Sequence, residues 1–369
     1  MQAFGLRYRT RVRGTAPIYD TLALRLSIGT GFRSAASLLP GLTKRISTGA
    51  HSFGIFDLGA RVSTRLTRKA LILICAGLSL AQSVKAQDLT PRAYLITPTG
   101  SNAMVLSFAY NTGDILLDPT IPITNLTAQF QVPILSYYHS FGFFGRSANV
   151  AVALPYGYGH FEGSVYDSAT RISRSGLADS RVRFSVNLHG GPAMKLPDFV
   201  KYRERTIIGA SITVVVPIGQ YDPARLINPG ANRWAFKPEI GFGRRRGHWA
   251  LDAYAGTWIF SPNSQFFPGN TYRHQNPIAS FEFHLGYYVK PKMWVSFDSN
   301  FWAGGSTVSN GVANNDAARN SRLGGTVAIP ITRSQSLKFS ASRGAVVRVG
   351  GNFTNLTAGW QYSWLSKPK

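Results

Sequence analysis

The stretch from Pro277 to Trp302, PIASFEFHLGYYVKPKMWVSFDSNFW, alternates apolar and polar side chains in two runs separated by Lys290-Pro291-Lys292. In the first run Ala279, Phe281, Phe283, Leu285, Tyr287 and Val289 share one face, and Ser280, Glu282, His284, Gly286 and Tyr288 share the other. In the second, Met293, Val295, Phe297 and Phe301 oppose Ser296, Asp298 and Asn300. Successive side chains of a strand point to opposite sides. Each run is therefore a strand with one apolar and one polar face, and the Lys-Pro-Lys segment is a tight, charged turn. A soluble sandwich alternates too, but its strands usually run about 5–6 residues. These run about ten to twelve, the length a tilted strand needs to cross a bilayer. With a carboxylate, an imidazole and an amide on the inner face, the pattern is that of an outer-membrane β-barrel.

The whole chain, at 369 residues, suffices for one large barrel or two soluble domains. No run reaches the ~18–20 apolar residues of a membrane helix, so a membrane-spanning reading requires strands. The charge is unevenly spread. Of the 40 Lys and Arg residues, 13 precede Gln87, where the only acids are Asp20 and Asp57. From Gln87 onward 27 basic residues face 14 acidic ones, a net +13. In a barrel such an excess points to lipid phosphates, lipopolysaccharide included, or to an anion-attracting lumen. No nucleic-acid partner is expected.

Near the start, Arg65, Arg68 and Lys69 precede the apolar Ala70–Ala81 (ALILICAGLSLA), followed by Gln82-Ser83-Val84-Lys85-Ala86. A basic n-region, an apolar h-region and small residues at Val84 and Ala86 describe a secretory signal peptide over 61–86, cut before Gln87. The single cysteine, Cys75, is then lost, and bulky Ile74 before it argues against a lipoprotein. Residues 1–60 show no sustained period. This Arg-rich, acid-poor leader has the composition of a transit peptide or of translated upstream DNA, and a mis-called start is the expectation. A mature chain of 87–369 without cysteine offers no disulfide framework and no thiolate metal site; no metal and no cofactor are expected.

After a polar, Pro/Gly-broken segment at 88–101, alternating runs recur at 102–111, 124–138, 146–158, 178–188, 205–217, 233–244, 248–260, 277–289, 293–303, 319–330, 335–343 and 352–364. The expected fold is all-β: one antiparallel up-and-down transmembrane barrel of about 12 strands. The aromatic-rich last strand (Trp360, Tyr362, Trp364) is the element the barrel-assembly machinery would recognise. Connections alternate in length, as extracellular loops and periplasmic turns do. The odd ones, such as 159–177, 218–232 and 261–276, are long; 139–145, 245–247, 290–292 and 331–334 are short. The exception, 189–204, suggests a short helical turn.

The lumen-facing inventory is Arg181, Arg183, Lys237, Glu239, Asp252, Glu282, His284, Asp298, Arg322 and Lys338. Such residues either cross-brace the wall with salt bridges or form a constriction that selects solutes by charge and size. Tyr254, Trp258, Tyr288 and Trp302 share their parity, as an aromatic slide or as fillers. The 218–232 loop places Tyr221, Asp222, Arg225 and Asn228, with Arg233 just past its end, where a constriction loop would fold into the mouth; an ordinary exposed loop is the other reading. Catalytic residues are not expected: no GxSxG, HExxH or Asp-rich metal spacing occurs.

Several stretches resemble one family: DLTPRAYLITPTGSNA (88–103), FGRSANVAVALPYGYG (144–159), RSGLADSRVRFSVNLHGGPAM (174–194), IIGASITVVVPIGQYDPARLINPGANRWAFKPEIG (207–241), NSRLGGTVAIPIT (320–332) and GWQYSW (359–364). It is the family of proteobacterial outer-membrane proteins described as transporters of the meta pathway of phenol degradation. The resemblance covers nearly all of 88–364 and implies an outer-membrane barrel linked to uptake of aromatic compounds, without assigning binding residues. Two function classes remain, a channel for small aromatic or anionic solutes and a structural or adhesive barrel; a barrel hydrolase is a weaker third. For the leader, N-terminal sequencing of the membrane-extracted protein should read from Gln87.

Overall fold

The computed structural model describes residues 89–117, 123–165, 168–204 and 206–366. The expected leader and signal peptide (1–86) lie outside them. The chain runs β1 (Ser101–Leu116), β2 (Ile123–Phe143), β3 (Arg146–Val165), β4 (Ser168–Leu177), β5 (Ser180–His189), α1 (Leu196–Lys201), β6 (Thr206–Val216), β7 (Ala235–Arg246) and β8 (Trp249–Phe260). It continues through β9 (Asn263–Phe266), β10 (Thr271–Gln275), β11 (Ile278–Lys290), β12 (Met293–Gly304), β13 (Thr307–Ser309) and β14 (Val312–Ala313). Last come β15 (Ala318–Pro330), β16 (Gln335–Val346) and β17 (Gly350–Leu365).

Neighbours in sequence pair antiparallel around a ring, and β1 pairs with both β2 and β17, so the sheet closes on itself. Twelve strands form this wall. The fourth is in two pieces: β3 pairs with β4 over Tyr156–Val165 and with β5 over Ala148–Ala153. Closure pairs the wall strands on both sides, the condition for crossing a bilayer; β4, toward the long-loop rim, pairs with β3 alone. Outward side chains are apolar and exposed, among them Leu106, Phe108, Phe281, Phe283, Leu285, Phe297 and Leu323, while Ser280, Glu282, His284, Asp298 and Asn300 on the opposite parity are buried. The protein is a transmembrane β-barrel turned as the alternation requires.

Both ends of the barrel chain lie at one rim, since Ser101 pairs with Leu365. The same rim carries the short turns. At one of them Phe144 and Gly145 both take positive φ (47° and 74°), the signature of a two-residue hairpin turn that matches strand twist. Here too lies α1, in the connection where a helical turn is expected. At the long-loop rim two hairpins, β9–β10 and β13–β14, form a separate four-stranded sheet. A buried Arg273–Asp316 pair at 3.3 Å ties them together.

Strands exceed their expected bounds at this rim. Residues 159–177, read as a loop, are largely the continuation of β3 and β4. Their outward residues are polar: Glu162 pairs with Arg171 at 2.6 Å, and His160 bonds Ser173 at 2.8 Å. Beyond the lipid a strand has no apolar face to show, so the alternation fades before the strand ends. A far-ultraviolet spectrum in detergent should be dominated by β-structure, and unboiled protein should migrate faster on a gel than boiled protein.

Candidate functional site

The period-two register brings lumen-facing side chains of adjacent strands side by side. His284 pairs with Asp252 on β8 and with Asp298 on β12; Glu282 pairs with Tyr254 and Asn300. A buried ionic network results. Lys237 Nζ lies 2.7 Å from Glu239 Oε2 and 2.9 Å from Glu282 Oε1. His284 faces Glu282 Oε2 at 3.5 Å through Nε2 and Asp298 Oδ1 at 2.9 Å through Nδ1. Ser296 and Thr326 hydroxyls donate to Asp298 at 2.8 and 2.6 Å. Charges this deep are tolerated only when paired, and removing one partner costs about 3–5 kcal/mol. Lys237, between two carboxylates, is the residue whose loss would strand most charge.

The network also grips the segment preceding β1. Residues 89–98 run inside the barrel. Thr90 donates through its backbone N–H and hydroxyl to Glu282 Oε2 at 3.4 and 3.3 Å. Arg92, in a left-handed conformation (φ 64°), presents both backbone N–H and Nη1 to Asp252, at 3.2 and 3.1 Å. Its Nε donates to the Tyr288 hydroxyl at 3.1 Å, and its other terminal nitrogen pairs with Glu204. Tyr94 goes deepest. Its hydroxyl lies 3.0 Å from both Ser211 Oγ and Glu239 Oε1, while Asn187 Nδ2 donates to its carbonyl at 3.3 Å.

The Tyr94 ring occupies a notch over Gly209 and Gly241, which are cross-strand partners on β6 and β7. A Cβ on either would fall 2.2 or 2.1 Å from the ring. Ile96 packs with Met194, Ile207 and Tyr254, and Thr97 Oγ1 lies 2.8 Å from the Tyr138 hydroxyl. The segment is a plug that fills the β5–β11 half of the lumen. Toward the long-loop rim the same half is packed by Val215, Ala235, Trp258, Phe260, Ile278 and Trp302.

The other half stays open. A cavity of about 2200 Å³ follows β1–β3 and β15–β17, lined by small side chains such as Ser107, Ala109, Ala153 and Ser340. It reaches from residues 227–231 at the long-loop rim to 290–292 and 332–335 at the other. Among the described residues, ten basic ones line it against three acidic ones, Asp179, Glu204 and Asp298. All three acids are engaged: Asp179 accepts from the Gly219 and Ala231 N–H groups, Glu204 pairs with Arg92, and Asp298 serves the network. The lumen is electropositive.

Of the expected wall residues, Lys237, Glu239, Asp252, Glu282, His284 and Asp298 converge in the bracing, with Arg183 3.6 Å from Glu239. Arg181, Arg322 and Lys338 line the open half, as does Asp298. Tyr254 and Tyr288 hold the plug, and Trp258 and Trp302 are packed at 1 % exposure, so these four form no slide. Of the long-loop candidates Tyr221, Asp222, Arg225, Asn228 and Arg233, Asn228 alone is among the cavity's lining residues. Tyr221 is tied to the β9 hairpin by Gln265 and Asn263, while Asp222 pairs with Arg225 at 2.9 Å. Arg233 is buried over the Phe260 ring with Nη2 2.5 Å from Gln275 Oε1. Burial pulls its guanidinium down to about 10, against the opposing charge of Asp179.

The plug is the element sequence reasoning missed. Its signal was present in Gly209 and Gly241, glycines on the lumen parity of otherwise regular strands, which mark close approach of another segment. As for chemistry, the His284–Asp298 pair has no activated hydroxyl, because Ser296 donates to Asp298 and the far nitrogen of His284 faces Glu282. Among the described residues, no His, Cys, Asp or Glu group is arranged to hold a metal.

Residues 107–364 match the model of the family described as "Putative MetA-pathway of phenol degradation". The chain belongs to this family. Among solved structures it is similar to an outer membrane channel from Pseudomonas putida F1, at 19 % identity and a TM-score of 0.63, over 75 % of this chain and 100 % of that one. A weaker likeness, at 10 % identity and a TM-score of 0.44 over 79 % and 96 %, is to the transport unit of the autotransporter AIDA-I from Escherichia coli. A comparison with curated proteins finds no match. The likeness to the Pseudomonas putida channel shows the same barrel fold.

Replacing Gly241 by Val should expel the Tyr94 ring. Trypsin should then cut at Arg92, read by mass spectrometry, whereas Gly286→Ala, whose added Cβ meets nothing closer than 3.7 Å, should leave the segment protected.

Proposed function

We propose that this protein is a channel of the Gram-negative outer membrane that admits small anionic or aromatic solutes by passive or facilitated diffusion. The observation that carries the reading is the basic cavity running beside the plug from rim to rim. The long-loop rim faces the outside and the rim with both termini faces the periplasm, as in barrels of this kind. A signal peptide cut after Ala86 delivers the chain, β17 serves the assembly machinery, and the apolar band meets lipid, with lipopolysaccharide on the outer side.

Twelve strands enclose a space between the side-chain-filled eight-stranded barrels and open sixteen-stranded porins. Half-filled by the plug and its bracing, this lumen is narrow enough to select and too continuous for a purely structural wall. Fixed positive charge raises the local concentration of anions. The aromatic part of the proposal rests on the family, whose description names phenol degradation.

Reconstitution in planar bilayers tests it. In a salt gradient the reversal potential should show anion preference, and deleting residues 89–98 should raise single-channel conductance. A silent bilayer with both forms correctly folded would favour the structural reading.

A further inference from the structure

Near the long-loop rim the open half of the lumen holds a constellation that bears on which solute it takes. Gly159 on β3 is flanked in register by Phe130 on β2 and Arg174 on β4, and Phe130, Gly159 and Arg174 all line the cavity. Phe130 leans over Gly159, where an added Cβ would fall 2.4 Å from the Phe130 Cβ, and Arg174 stands on the far side of that glycine. One step along, Gly157 pairs with Gly176, and a Cβ on Gly157 would meet nothing within 4 Å. The result is a slot floored by Gly157, with an apolar wall at Phe130 and a cationic wall at Arg174.

The apolar wall is organised. Phe130 meets Phe353 edge-to-face, with centroids 5.2 Å apart and planes at 86°, and Phe161 and Ile115 pack around them. The cation is fixed. Arg174 Nε donates to the Ile227 carbonyl at 2.9 Å and Nη1 to the Ser173 carbonyl at 2.8 Å. Both acceptors are neutral, and Nη2 is left without a partner among the described residues. The nearby carboxylate of Asp222 is engaged by Arg225 at 2.9 Å.

We propose that this slot is a binding subsite for aromatic carboxylates, the ring lying over Gly157 beside Phe130 and the carboxylate on the Arg174 guanidinium. The inference rests on the channel reading for its biological use but not for its detection, since binding is measured without transport. Aromatic rings favour the edge of a neighbouring ring, and a guanidinium held by two carbonyls meets a carboxylate with little further ordering. A solute with only one of the two features would use only one wall.

The test is isothermal titration of benzoate into the detergent-purified mature protein. Wild type should bind benzoate more tightly than either acetate or benzyl alcohol. Arg174→Gln should weaken benzoate roughly tenfold or more, the range for losing a charged hydrogen-bond partner, while leaving benzyl alcohol unchanged. Phe130→Ala should weaken benzoate and benzyl alcohol together. Heat-dependent gel migration identifies folded variants, and Arg174→Lys, which keeps the charge, should recover part of the affinity. Equal affinity for benzoate and acetate, or a folded Arg174→Gln variant that binds benzoate like wild type, would overturn the subsite. Absence of conductance with benzoate binding intact would overturn the channel reading and leave the subsite standing.

Discussion

A strand that crosses a bilayer carries its peptide N–H and C=O groups into a medium with no water to bond them, so each must find its partner within the protein. Here that requirement is met at the β1–β17 seam, where sixteen consecutive pairs from Ser101–Leu365 to Leu116–Gly350 join the ends of the chain. Everything else presupposes this closure. It turns one face of every strand toward lipid and the other toward a shared interior, and it gathers polar residues far apart in sequence into one enclosed space. Glu282 and Thr90 meet there across 192 positions of chain.

Enclosing so many charges sets the second constraint. Carboxylates and cations facing a narrow, poorly hydrated interior must pair, and the network from Lys237 through Glu282 and His284 to Asp298 does this with strands from β7 to β12. The plug completes rather than crowds the arrangement: Arg92 neutralises Asp252, and Tyr94 and Thr90 donate to Glu239 and Glu282. Bracing and plugging are the same set of contacts, concentrated in one half of the barrel. The opposite half, where small side chains such as Ser107, Ala109, Ala153 and Ser340 leave room, remains open. Division of labour around the ring leaves a selective path in a rigid wall, with the basic excess on the open side.

Sequence alone determined the strands that touch lipid, their faces and their antiparallel order, because a strand that crosses a bilayer needs a period-two contrast that is local and readable. Phe281, Glu282, Phe283 and His284 state it in four consecutive residues. The same rule fails where lipid ends, which is why β3 and β4 outrun their expected bounds: Glu162 and Arg171 face water and carry no contrast. Wall residues were legible by parity, but parity cannot say which of them are consumed in bracing and which line the path. Glu239 and Lys338 look alike in sequence and end in opposite halves. Tertiary structure alone decided the plug. Residues 89–98 have no period, and their resemblance to the family does not say where they lie; their position is fixed by partners 41 to 196 residues away, and only the closed barrel brings these partners within hydrogen-bonding distance.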